Sequence, residues 1–216
     1  MNESTSPYRY SKQNAVVFLI VIVISTALTF SPMITLHYVS VDMAFSVVFI
    51  LQVLFVTLIY FLYLRKMPEC KIRIKSDWAT VRFSILSFLL IILIQLIMYC
   101  YKSTSFHHEP FHMHWIAIVT IILVFPYYEE IIYRACAFGL LCSIYKKDII
   151  IPSVLTSLFF SLMHFQYHNI PDQVALFIVA ILLLMVRIKS GNLFYPMLMH
   201  SGMNTFVILL NIQSIL

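Results

Sequence analysis

The sequence predicts an all-α protein: a polytopic bundle of about seven transmembrane helices. Three observations predict this class: 62% of the 216 residues are hydrophobic, only 11% are charged, and the apolar residues form long runs. An ordinary soluble domain has about 25% charged residues and about 45–50% apolar ones. With only 3 glycines, the chain is also poorly suited to the many turns of a membrane β-barrel. The composition therefore excludes a soluble enzyme and gives no role to nucleic acid.

Seven segments are apolar over about the 20 residues that a transmembrane helix needs, or nearly so. They are Asn14–Met33, Met43–Leu64, Trp78–Tyr101, Trp115–Tyr145, Ile149–Phe165, Pro171–Ile188 and Leu193–Ile212. The fourth is long and contains Pro126, so we expect a kink there, or a split into two pieces that would make eight spans. Residues 1–13 are a polar tail, 14–114 carry no recognised motif, and 115–216 carry the polar groups described below.

The basic residues predict the orientation of this bundle. Twelve of the 14 lysines and arginines lie in or beside the N-terminal tail and the second, fourth and sixth connections. Lys102 alone lies on the other side, and Arg134 lies inside the fourth span. Because cytoplasmic loops are rich in Lys and Arg, we expect the N-terminus and its tail in the cytoplasm.

Two of the nine acidic residues, Glu129 and Glu130, lie inside an apolar segment. A charge within a span costs at least about 2.5–3.5 kcal/mol on insertion scales and normally needs a partner or a function. Glu130 and Arg134 are four residues apart, so they share a helix face and can pair. Glu129 points about 100° away from Glu130 and is therefore available as a general base. The alternative is a structural ion pair, with Glu129 tolerated in a polar interior.

Two further spans contain polar groups. His164 ends the fifth, and His200 and Asn204 share a face of the seventh. Intramembrane ionisable residues usually face the interior of a bundle, so these groups are expected to converge with the two acids. At about 1.5 Å per residue, however, His200 lies roughly 10 Å, His164 roughly 20 Å and Glu129 roughly 24 Å from the cytoplasmic ends. A kink or tilted spans must bring them to one level.

This set of groups is typical of a hydrolase for acyl bonds. Glu129 can activate a water, His164 can hold that water or move a proton, and His200 and Asn204 can donate to an oxyanion. The metalloprotease motif HExxH, a GxSxG motif and an aspartate within a span are all missing from the sequence. Zinc held by Glu129, His164 and His200 is an alternative, but the different directions of the two glutamates favour chemistry without a metal.

The same residues carry a resemblance to a known family. The motifs Glu129-Glu130-x-x-x-Arg134, Phe160-x-x-x-His164 and His200-x-x-x-Asn204 resemble the signatures of the CAAX-protease and bacteriocin-processing (CPBP, or Abi) family. The resemblance covers roughly residues 115–204. It implies an intramembrane endopeptidase that uses a glutamate-activated water and no cofactor, within a catalytic membrane core at 115–216. The family's functional residues correspond to Glu129, Glu130, Arg134, His164, His200 and Asn204.

The resemblance also implies a location and partners. We expect an integral, multi-pass protein of a bacterial cytoplasmic (inner) membrane that acts on a membrane-associated peptide or protein. Its role would be CAAX-type cleavage, peptide or bacteriocin processing, or self-immunity. One alternative is a membrane protein that gives immunity by binding, without catalysis. Another is a small transporter with a Glu/His proton relay, but the sequence lacks the internal repeats that would support it.

Overall fold

A computed structural model describes residues 11–74, 77–103, 114–146, 148–164, 166–167 and 169–211. Most of the predicted N-terminal tail lies outside these residues. The described part forms seven helices and contains no strand. The helices are α1 Lys12–Phe30, α2 Val41–Leu62, α3 Trp78–Ser103, α4 Trp115–Ile144, α5 Ile150–Leu162, α6 Ile170–Ser190 and α7 Phe194–Leu210. The predicted all-α, multi-pass membrane class is therefore confirmed.

Two of the seven helices are shorter than predicted. Helices α1 to α4 and α6 are long and apolar enough to cross a membrane, whereas α5 has 13 residues and α7 has 17. At about 1.5 Å per residue, α5 is roughly 20 Å long, less than the hydrocarbon thickness of about 30 Å. Near its end, the buried Ser161 hydroxyl lies 2.8 Å from the Gln173 carbonyl of α6. The predicted orientation of the bundle stays a prediction.

Pro126 does not divide α4, so the alternative of eight spans is wrong. The chain remains helical from Trp115 to Ile144. The helix accommodates the proline because its turns on either side are wider than those of an α-helix. Two segments of π-helix, Thr120–Val124 and Glu130–Ala137, flank a short α-helical turn that contains Pro126. Each shows the five-residue hydrogen bond of a π turn: the Phe125 N–H donates to Thr120, and the Phe138 N–H to Tyr133. Such bulges are frequent at functional sites.

Helices α1, α2, α4, α5 and α6 enclose the main apolar core, whose buried members include Phe18, Val56, Ile131, Phe160 and Leu184. A second cluster joins α3, α6 and α7 through residues such as Ile91, Leu183 and Met199. Helix α6 thus lies between the two clusters. It ends at Gly191, whose left-handed φ of 66° suits glycine and turns the chain directly into α7.

Helices α1 and α4 pack closely at Gly139 of α4, which faces the fully buried ring of Phe18 on α1. A Cβ at position 139 would lie 2.6 Å from Phe18 Cε2. Gly139→Ala should therefore destabilise the bundle, because overpacking costs about 1–3 kcal/mol against a gain in helix propensity of about 1 kcal/mol. Thermal unfolding in detergent should show a lower Tm, and adding Phe18→Leu should restore it. An unchanged or higher Tm for Gly139→Ala would contradict this close packing.

Candidate active site

Glu130 lies at the centre of the polar cluster between the helices. Its side chain is completely buried, and its Oε1 atom lies 3.2 Å from Arg134 Nη1 on the same helix. The same oxygen lies 2.8 Å from His200 Nδ1 on α7. The ion pair predicted from the four-residue spacing is therefore present. Because Glu130 is paired as a carboxylate, the ring N–H of His200 is the donor in their hydrogen bond.

The imidazole of His200 lies between the two glutamates. Its Nε2 atom is 3.7 Å from Glu129 Oε2, while Nδ1 bonds to Glu130. Although the two acids point in different directions on the helix, both reach the ring of His200, one at each nitrogen. The α-helical turn ends at Glu129 and the π segment begins at Glu130. Helix α4 therefore widens at the two residues that contact the His200 ring. His200 and the two glutamates are thus in contact, although the sequence predicted different depths for His200 and Glu129 in the membrane.

The two acids differ in their access to solvent. The Glu130 side chain is 0% exposed, whereas that of Glu129 is 18% exposed. Glu130 also has a guanidinium partner, while the closest ionisable contact of Glu129 among the described residues is the ring of His200. Glu130 is thus suited to hold Arg134 and His200 in place. Glu129 is the acid that a water and a substrate can reach.

Phe160 connects His164 to this cluster. The guanidinium of Arg134 lies 4.5 Å from the centroid of the Phe160 ring, a cation–π distance. The His164 and His200 rings lie 4.4 and 6.1 Å from the same ring. His164 Nδ1 donates to the Phe160 carbonyl at 2.7 Å. Since a carbonyl can only accept, a neutral His164 presents Nε2 as an acceptor.

Asn204 lies one turn beyond His200 and docks α7 onto α4. Its Nδ2 atom donates to the Ile121 carbonyl at 2.7 Å. In the π pattern of that turn, where Phe125 N–H reaches Thr120, the next donor to Ile121 would be the N–H of residue 126. Proline has none, so the Asn204 amide replaces the missing donor. One of its two N–H groups is thus engaged, and the other is available for a ligand.

A cavity of ≈ 470 Å³ adjoins the cluster at Asn204. Its walls come from α3, α6, α7, the start of α4 and the α5–α6 loop, and they are mainly apolar. Tyr167 lies in its wall, and burial together with the negative charges of Asp172 and Glu129 raises the pKa of this phenol. The size is in the range of cavities that bind small molecules or peptide side chains.

The sequence analysis missed an ion pair in this cavity wall. Lys102 Nζ lies 2.9 Å from Asp172 Oδ1 and 5.3 Å from the centroid of the Tyr167 ring. Asp172 lies at the edge of the predicted sixth span, and no pattern in the sequence links it to α3. The signal available was that Lys102 is the single basic residue predicted on its side of the membrane, next to an apolar span. Such a residue calls for an acidic partner.

Zinc held by Glu129, His164 and His200 is the alternative to hydrolysis without a metal. Within the ranges that the structure describes, no group of three His, Cys, Asp or Glu side chains is placed to hold a metal ion. His200 already directs Nδ1 to Glu130, and His164 directs Nδ1 to a backbone carbonyl. Both hydrogen bonds use Nδ1 and leave Nε2, a pattern that zinc-ligating histidines also show, so zinc held by Glu129, His164 and His200 stays an alternative.

The helices and the buried cluster define a multi-pass membrane protein with an ionisable site between its helices. Residues 111–206 match the family model described as type II CAAX prenyl endopeptidase Rce1-like. This match confirms the resemblance to the CAAX-protease family and, because the family is one of proteases, supports a hydrolase. All seven residues named in the three motifs lie within the matched segment.

One relative among curated proteins is an uncharacterized 24.3 kDa protein of Escherichia coli. It is 31% identical over 94 residues, which are 44% of this chain and 43% of that protein. The chain thus spans less than half the length of the relative it matches. No solved structure matches the chain.

The buried Glu130–Arg134 pair should be needed for folding. Arg134→Met would leave a buried carboxylate without its cation, and breaking a buried pair in this way costs about 3–5 kcal/mol. The double variant Glu130→Gln/Arg134→Met removes both charges and should lose distinctly less stability. Denaturant unfolding in micelles measures both. Equal loss in the single and double variants would mean that the pair does not hold this region together.

Proposed function

We propose that the protein is an intramembrane endopeptidase that hydrolyses a peptide bond of a membrane-associated, CAAX-type substrate by means of a glutamate-activated water. The observation that carries the proposal is the partly exposed Glu129 carboxylate beside His200, within a segment that matches a family of proteases. The Glu130 side chain is fully buried and is paired with Arg134 and His200. The two acids thus have separate tasks: Glu130 positions and Glu129 reacts.

In this mechanism Glu129 removes a proton from a water molecule. The water oxygen forms a bond to the carbonyl carbon of the scissile peptide, and the carbonyl π electrons move to its oxygen. When the tetrahedral intermediate collapses, the C–N bond breaks and the proton held by Glu129 passes to the leaving amine. His164 supports this step because its Nε2 is an acceptor that can orient the water.

The oxyanion requires hydrogen-bond donors placed before the reaction begins. Asn204 has a second N–H in addition to the one that bonds Ile121. His200 can donate from Nε2 when its ring carries both protons, since Nδ1–H is held by Glu130. In that state two carboxylates face two cations, Arg134 and His200, and the cluster is neutral. Neutrality limits the cost of burying these groups.

The cavity beside Asn204 supports a peptide substrate with an apolar portion. Its walls are mainly apolar and include Asn204, one of the two groups that we propose as oxyanion donors. We place the protein in a bacterial cytoplasmic membrane, with the lipid bilayer and a membrane-associated peptide or protein as partners. A role in bacteriocin processing or self-immunity stays a prediction.

The first test is substitution of the reacting groups. Glu129→Gln, His164→Ala and His200→Ala should each lower the rate of cleavage at least about 100-fold, because general acid–base groups contribute about 10²–10⁴. Purified variants in proteoliposomes are assayed with a quenched fluorescent peptide that carries a prenylated CAAX end. Their amounts in the membrane should equal the wild-type amount.

Glu69→Gln is the matched control, since Glu69 lies in the α2–α3 connection and is not among the described partners of Glu129, His164 or His200. It should keep the wild-type rate. Full activity of Glu129→Gln would refute the mechanism. A biological effect such as immunity that survives Glu129→Gln would instead favour a binding protein without catalysis.

The second test concerns metal. If hydrolysis depends on Glu129 and water alone, cleavage should continue unchanged after incubation with 1,10-phenanthroline and dialysis against EDTA. Added zinc should not raise the rate. Loss of activity with the chelator, restored by zinc and by no other treatment, would show that a metal takes part and would overturn the metal-free proposal.

A further inference from the structure

His164 lies just beyond the end of α5, so the loop between α5 and α6 determines where its ring lies. The last helical residue is Leu162. Two backbone hydrogen bonds shape the loop: His164 N–H to the Ser161 carbonyl, and Tyr167 N–H to the His164 carbonyl, both 3.1 Å. A short turn of this kind needs further contacts if it is to hold a reacting side chain within a fraction of an ångström.

Gln173, in the first turn of α6, supplies those contacts. Its Nε2 atom donates to the Tyr167 carbonyl at 2.8 Å and to the His164 carbonyl at 3.3 Å. Its Oε1 atom lies 2.7 Å from the hydroxyl of Ser161. The orientation of the amide is fixed by chemistry, because the two backbone carbonyls can only accept and the hydroxyl can donate. One side chain therefore joins the end of α5, the loop and α6.

The same contacts set the surroundings of the His164 ring. The ring lies between Phe160, at 4.4 Å, and Tyr167, which is stacked with it at 6.4 Å and an interplanar angle of 20°. Gln173 bonds to the backbone of Tyr167 as well as to that of His164. It therefore also fixes the position of the Tyr167 ring that stacks on His164. Helix α6 is itself anchored, because Asp172 is bound by Lys102 of α3 and by the Asn169 side chain.

We propose that Gln173 is a positioning residue that holds the His164 imidazole in the orientation needed for hydrolysis. This inference rests on the proposed function, in which His164 orients the attacking water. Gln173 acts through the backbone of the loop and does not touch the water or the substrate. Its loss should therefore affect the chemical step and leave substrate binding nearly unchanged.

The test is Gln173→Glu, which keeps the size and the acceptor for Ser161 but replaces the N–H donors by a carboxylate facing two carbonyls. Because small misplacements of a reacting group can cost about 100-fold, kcat should fall about 10- to 100-fold, with KM within about twofold of wild type. The probe is the prenylated CAAX peptide in proteoliposomes. Gln173→Met, which removes the same donors without adding charge, should behave in the same way.

Gln52→Glu is the matched control. Gln52 is a buried glutamine of α2 whose amide also donates twice, to the Ser25 carbonyl at 3.1 Å and to the Thr29 hydroxyl at 2.8 Å. Its replacement should lower the Tm but leave kcat per folded molecule unchanged. A decrease in kcat for both glutamines would point to general loss of structure and would overturn the positioning role.

Hydrogen–deuterium exchange gives a reading that does not depend on turnover. The amides of His164 and Tyr167 should exchange faster in Gln173→Glu than in wild type, and equally in Gln52→Glu and wild type. If the wild-type protein is active and Gln173→Glu keeps its kcat, or these amides keep their protection, the inference is wrong and the proposed function stands. A wild-type protein that cleaves no such peptide overturns the proposed function itself.

Discussion

The architecture of the C-terminal half depends on one buried carboxylate. Glu130 is fully enclosed in a bundle whose other interior groups are mostly apolar, and such a charge is tolerated only with close partners. Its Oε1 atom lies within 3.2 Å of Arg134 on the same helix and 2.8 Å from His200 on α7. Arg134 in turn lies on the ring of Phe160 from α5. The need to compensate a single charge thus determines how α4, α5 and α7 meet.

A second constraint comes from Pro126, which removes one hydrogen-bond donor from the middle of α4. In a membrane an orphaned carbonyl is costly, and the helix responds by widening to π geometry and accepting the Asn204 amide at Ile121. Asn204 therefore has a structural task even without a substrate. The proline, the wide turn and the asparagine together hold α7 so that His200 lies between two adjacent glutamates.

The sequence predicted the seven helices closely because long apolar runs and interrupting polar segments set their limits, as for Trp78–Ser103 and Ile170–Ser190. It also predicted the Glu130–Arg134 pair, which depends only on helical spacing. It could not predict the wide turns of α4 or the place of Asn204, since these depend on a partner helix about 80 residues away. The short α5 and the Lys102–Asp172 pair were missed for the same reason.

The site extends beyond the segment that matches the protease family. The match covers residues 111–206, yet α3 contributes Gln95, Met98, Tyr99 and Lys102 to the cavity wall. Through Asp172, Lys102 also anchors the start of α6, from which Gln173 reaches the loop of His164. The groups that we propose to react thus belong to the matched segment, while part of the cavity wall lies before it. From the proposed function we therefore expect proteins that share the matched segment but differ before it to keep the chemistry and change the substrate.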